Sequence, residues 1–141
     1  KKNIAYYKLN KFDCVSNSYI RSYPDGMDVT IFNFNTLKKT YMLANKKKYL
    51  EHSRLFIFEN SKIFKIKNDI ASKKNYWPDL GVTLDERADF KLIKKIINYF
   101  EKQNKYFFSC VDIIKLLKSK PKWLRINSHI TRKGYDKNNI N

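Results

Sequence analysis

The sequence has little that bends, clamps or spans. Three glycines and three prolines in 141 residues exclude a collagen-like chain and a long flexible linker. The two cysteines, Cys14 and Cys110, lie far apart with no metal-ligand spacing, which excludes a disulfide framework and a zinc cluster. Each sits among apolar neighbours and is expected to be a reduced core thiol. No apolar run approaches the roughly 20 residues of a membrane span. The opening KKNIAYYKLN has no apolar h-region and no small-residue cleavage site, so no signal peptide is expected. These absences point to the cytoplasm. There is also no CxxC, HExxH or GxSxG motif and no Gly-rich phosphate loop. Ser53 and Ser128 adjoin His52 and His129, but no acid can be placed to orient either imidazole, so a catalytic triad has no support.

Acids are scarce as well: 13 Asp and Glu stand against 30 Lys and Arg, a net charge of +17. Clustered lysines neutralise phosphates and release counterions, so this balance suggests a polyanion partner. Against that, Lys, Asn and Ile dominate the whole chain, as A/T-rich codons would dictate. Only five of the basic residues are Arg, the side chain favoured for bidentate phosphate and base recognition. The lysines are scattered, with short clusters at 46–48 and 73–74. Weak, non-specific nucleic-acid binding is the expectation. The first residue is Lys, which suggests a start inside a longer reading frame.

What is present suits a packed α/β domain: 43% hydrophobic residues and 16% aromatics are enough for a core, and the length fits one domain over 1–141. Residues 1–10 read as a helix end. FDCVS (12–16) alternates like a strand. Pro24-Asp25-Gly26 is a turn leading to a β-branched and aromatic strand over 28–33. Asn35 is placed to cap a helix with Leu37, Tyr41 and Ala44 on one face. KYLEHSRLFIFE (48–59) reads as one buried helix, and IFKIKN (63–68) as a third strand. VTL (82–84) reads as a short buried strand ending at Asp85. A helix follows, with Phe90, Ile93, Ile96, Ile97 and Phe100 at helical spacing. Ser109 and Asp112 form a capping-box pattern before a helix that faces Ile113, Leu116 and Leu117 inward and ends at Pro121.

Three places offer chemistry. Asp85 follows a strand and precedes a helix. Ligands gather at the carboxyl ends of strands in open α/β sheets, and a carboxylate there suits a hard cation such as Mg²⁺; it equally suits a helix cap. Asp28, at the mouth of a strand, is a cleft residue or a turn cap. Glu51-His52 is an acid–imidazole pair on an apolar helix, a substrate contact or a structural group. His129 lies in a polar tail.

Taken in order, YPDGMDV (23–29), EH (51–52), TLDERADF (83–90) and INSHI followed by GY (126–135) resemble the cytidylyltransferases of the spore-coat polysaccharide biosynthesis branch, relatives of the CMP-Kdo and CMP-acylneuraminate synthetases. The resemblance runs over nearly the whole chain. It implies the C-terminal half of a Rossmann-like nucleotide-diphospho-sugar transferase, an α/β/α sandwich. It also implies a reaction in which CTP and a sugar or sugar acid form a CMP-sugar with release of pyrophosphate, using Mg²⁺. By the same resemblance Asp85 binds the metal, Asp89 supports the following helix, and Asp28, Glu51 and His52 lie on the sugar side. Glu86-Arg87-Ala88 replaces the family's Thr-Pro-Glu, so a weakened helix start is expected. Thr30 stands where an acid is common, which bears on sugar choice. The family's Arg/Lys-bearing phosphate loop and second metal-binding aspartate have no counterpart here.

The first reading is therefore a partial cytidylyltransferase domain without its nucleotide-binding half, inactive alone. Its partners in the complete enzyme would be CTP and a sugar or sugar acid, with a homodimer as a candidate assembly and no membrane partner. The alternative is a basic, non-enzymatic nucleic-acid-binding module, and a third is a structural or dimerisation remnant.

Overall fold

A computed structural model describes residues 2–9 and 11–131. The Gly134-Tyr135 end of the family-like tail lies outside the described residues. The chain divides into two compact units, residues 1–23 with 28–76 and residues 24–27 with 77–141.

The first unit is α/β. Its elements are α1 (Lys2–Leu9), β1 (Cys14–Ser16), β2 (Thr30–Phe32), α2 (Phe34–Leu43), α3 (Lys47–Glu51), α4 (Ser53–Glu59) and β3 (Ile66–Asn68). The strands form a mixed sheet in the order β2-β1-β3. β1 runs antiparallel to β2, with Val15 opposite Ile31, and parallel to β3, with Val15 opposite Lys67. The middle strand is wholly buried, as a strand flanked on both edges should be. Cys14 joins Tyr49, Phe56, Ile57 and Phe64 in the core. Burying a side chain the size of Phe64 is worth about 1.5–3 kcal/mol. Burial pushes the Cys14 thiol up to about 12, which agrees with the inert core thiol read from the sequence. Cys110 is also a free thiol but only partly buried.

Several local expectations shift. The strands are shorter than their sequence patterns: β1 and β3 start later than expected but end at Ser16 and Asn68 as expected, and β2 is trimmed at both ends. The cap of α2 is Asn33, whose side-chain oxygen accepts from the Thr36 N–H at 2.8 Å, so the helix begins before Asn35. Thr36 and Thr40 are its buried residues, while Tyr41 is 72% exposed. The expected helix over 48–59 is two helices that meet at His52, whose φ of −125° and ψ of 71° are not helical. LFIF is helical, within α4.

The second unit holds α5 (Arg87–Glu101), α6 (Cys110–Ser119) and α7 (Pro121–Leu124). Leu80, Leu92, Ile96, Phe100, Ile113, Ile114, Leu116 and Leu117 form its core. Phe90 and Ile97, expected inside, are exposed, and Leu92, not singled out from the pattern, is fully buried. The true stripe is Leu92, Ile96 and Phe100, spaced by four. Phe108 stacks on Phe100 at 4.5 Å between ring centroids. The Ser109–Asp112 capping box forms as its spacing predicts: Asp112 Oδ2 accepts from the Ser109 N–H at 2.8 Å, and Ser109 Oγ accepts from the Asp112 N–H at 3.3 Å.

VTL is not a strand. Only Gly81 pairs, in an isolated parallel bridge with Asp25. The Asp25 N–H reaches the Leu80 carbonyl and the Val82 N–H reaches the Asp25 carbonyl, each at 2.8 Å. Leu84 is 63% exposed. The bridge needs Gly26 beside it. Its φ is +98°, and a Cβ there would come within 2.7 Å of the Val82 backbone.

Candidate functional site

In the first unit Asp28 is a recipient rather than a free ligand. Arg21 spans its carboxylate, with Nη1 3.3 Å from Oδ1 and Nη2 3.5 Å from Oδ2. Arg54 adds a shorter contact, Nη1 to Oδ2 at 2.9 Å. Arg54 Nη1 also donates to Ser18 Oγ at 3.2 Å. Asp28 and Arg21 are mostly buried, whereas the Arg54 side chain remains 45% exposed. Both oxygens of Asp28 are engaged, so it orients guanidinium groups.

Ser18 is itself fixed. Its Oγ lies 3.1 Å from Ser16 Oγ, and Ser16 Oγ lies 2.9 Å from Thr30 Oγ1. Ser16 is fully buried in β1. A line of hydroxyls therefore runs from the sheet to Arg54. Thr30 is one link of it.

Glu51 and His52 sit at the α3–α4 break. His52 Nε2 lies 3.8 Å from Glu51 Oε1, and both side chains are well exposed. The break explains why an acid and an imidazole can be adjacent in an apolar stretch: their residues leave the buried faces of both helices. Neither bonds to Asp28.

In the second unit Asp85 and Asp89 separate into different roles. Asp89 is fully buried. Its Oδ2 accepts the N–H groups of Glu86, at 3.1 Å, and Asp85, at 3.3 Å. Its Oδ1 accepts from Asn127 Nδ2 at 2.8 Å, and the same nitrogen reaches the Gly81 carbonyl at 3.1 Å. This carboxylate caps α5 at Glu86, so the helix start, expected to be weakened, is capped. Asp85 is exposed, and among the described residues nothing bonds its carboxylate. His129 is exposed.

Among the described residues no group of three or more His, Cys, Asp or Glu side chains is gathered for a metal ion. Asp85 fits Mg²⁺ in one limited sense. It offers a free hard-oxygen ligand, and Mg²⁺ typically takes one or two carboxylates together with substrate phosphates and water. A hollow of about 190 Å³ bordered by Trp77, Asp79, Leu80, Asn127 and Ser128 is smaller than the roughly 300 Å³ at which ligand pockets begin. No helix among the described residues is long and apolar enough to cross a membrane.

Sequence reasoning passed over Arg54, Ser18 and Asn127. Arg54 carried a signal, as an Arg two residues beyond the Glu51-His52 pair. Asn127 lay inside the quoted INSHI motif without a role.

No protein-family model matches the chain. A cytidylyltransferase from Leptospira borgpetersenii serovar Hardjo-bovis superposes with a TM-score of 0.75 and 25% identity, over 90% of this chain and 50% of that one. An uncharacterized protein of Methanocaldococcus jannaschii is 30% identical over 136 residues, 95% of this chain and 53% of the relative. The chain thus has the fold of half a cytidylyltransferase, and it spans about half the length of the curated relative it matches.

Proposed function

We propose that the chain is the sugar-side half of a Rossmann-like cytidylyltransferase, which in its complete form joins CTP and a sugar or sugar acid into a CMP-sugar and releases pyrophosphate. The observation that carries this reading is the superposition on the Leptospira enzyme across 90% of the chain. The order of motifs along the sequence supports it independently.

Within that reading the residues divide the work. Asp28, through Arg21 and Arg54, and the Glu51-His52 pair belong to sugar recognition. Asp85 is the carboxylate that would hold Mg²⁺, while Asp89 stiffens the start of α5 from inside. Mg²⁺, when bound, would neutralise charge on the phosphates during transfer. Electrostatic clamping of the phosphates is most of what such a transfer requires, and one carboxylate supplies little of it. The isolated chain is therefore a poor catalyst.

The site assignment is tested in a chain completed with the N-terminal half of the Leptospira enzyme. Asp85→Asn keeps the shape and removes the charge a hard cation needs. It should lower kcat roughly 10²-fold or more at limiting Mg²⁺. Asp89→Asn should lower stability while leaving the Mg²⁺ dependence of the surviving activity unchanged. Near-normal turnover by folded Asp85→Asn at limiting Mg²⁺ would remove Asp85 from the metal site.

A further inference from the structure

We infer that Arg54 is an oxyanion-binding residue, held by Asp28 and Ser18 so that its outer edge receives a carboxylate or phosphoryl group of a ligand. The inference rests on the cytidylyltransferase reading for what that ligand belongs to, but its geometry stands apart from it.

The two tethers on Arg54 land on the same nitrogen. Nη1 donates to Asp28 Oδ2 at 2.9 Å and to Ser18 Oγ at 3.2 Å. Among the described residues Nη2 and Nε have no partner. These two atoms form the edge of a guanidinium that matches a pair of oxygens bidentately. The inner side of the group is anchored and the outer side carries unspent donors, on a side chain 45% exposed.

Charge points the same way. Arg21 already spans both oxygens of Asp28, so one guanidinium neutralises this carboxylate. Arg54 is a second guanidinium on the same carboxylate, and on a side chain 45% exposed its positive charge is open to an incoming anion.

The anchoring is also rigid. Ser18 is tied to Ser16 and through it to Thr30 on the sheet, and Ser18 N–H donates to Ser16 Oγ at 3.1 Å. A guanidinium fixed before binding loses less side-chain freedom when the ligand arrives. A mere surface ion pair would need neither the second Arg nor the hydroxyl line.

The test follows the Arg54 Nε–H resonance of the ¹⁵N-labelled chain at low ionic strength, where screening is weak. Three probes are titrated: glucuronate, its neutral amide glucuronamide, and inorganic phosphate. A shift with glucuronate and none with glucuronamide assigns the site to a sugar carboxylate. A shift with phosphate alone keeps the oxyanion site and assigns it to a phosphoryl group. Arg54→Gln should weaken binding of the effective anion about tenfold or more, and Arg54→Lys should restore only part, since an ammonium keeps the charge without the fork. If neither anion moves the resonance, or Arg54→Gln binds as well as the parent, the inference is wrong. That failure would leave cytidylyl transfer by the completed chain untouched. Conversely, an inactive completed chain whose Arg54 still binds anions would overturn only the functional reading.

Discussion

Asn127 holds the buried carboxylate of Asp89 from 38 residues away, Nδ2 to Oδ1 at 2.8 Å, and both residues are shielded from water. Asp89 in turn caps α5, so the segment after α7 is stitched to the start of α5 by one amide. Asn127→Leu removes the donor and leaves the Asp89 oxygen and the Gly81 carbonyl short of a partner. A loss of about 1–3 kcal/mol is expected, read as a lower urea midpoint. An unchanged midpoint would mean that water replaces the amide without penalty.

Gly26 should tolerate no side chain. An alanine there meets both a left-handed φ and the Val82 backbone. The strain is of order 1–3 kcal/mol, with the clash added. Gly26→Ala is expected to lower the thermal midpoint and weaken amide protection at Val82, whose N–H bonds the Asp25 carbonyl. Hydrogen exchange at Val82 equal to that of the parent would show that the bridge does not depend on Gly26.

These two devices also mark how far the sequence could be read. The Ser109–Asp112 box was legible because its partners lie three residues apart and the helix between them does the aligning. Likewise the Pro24-Asp25-Gly26 turn was visible in its residue types. The VTL strand was not correctly legible: its β-branched residues favour extension, but a strand also needs a neighbour to bond, and only Gly81 finds one. The break at His52 has no Gly or Pro to announce it. The Asp28–Arg54 contact joins residues 26 apart, beyond any local pattern. Asp85 and Asp89 looked alike in the string TLDERADF, and only burial separates the cap from the free carboxylate.

Asp112 makes stability depend on acid in a defined direction. The Lys105 ammonium, 2.7 Å from Oδ1, and then the Ser109 N–H and hydroxyl hold its carboxyl well below the usual value of 3.8. A depressed native pKa means that the unfolded state binds the proton first. The stabilisation is therefore full above about pH 4–5 and declines as pH falls toward the native pKa. Urea unfolding from pH 6 to pH 2 should fall more steeply for the parent than for Asp112→Asn. Parallel curves would show that this cap does not titrate as described.

The charge of +17 should give weak nucleic-acid binding that declines steeply with salt and ignores sequence, as counterion release alone dictates. Fluorescence anisotropy with two unrelated duplexes at several salt concentrations checks this. Sub-micromolar binding at physiological salt with a clear base preference would promote the basic-module reading above the enzyme.

The most direct measurement is CTP-dependent pyrophosphate release, made on the chain alone and on the chain joined to the N-terminal half of the Leptospira cytidylyltransferase, with Mg²⁺ and a panel of sugars and sugar acids. The account predicts no release above background from the chain alone and sugar-dependent release from the joined protein. Release by the chain alone, or a folded joined protein that stays silent across the panel, would contradict it.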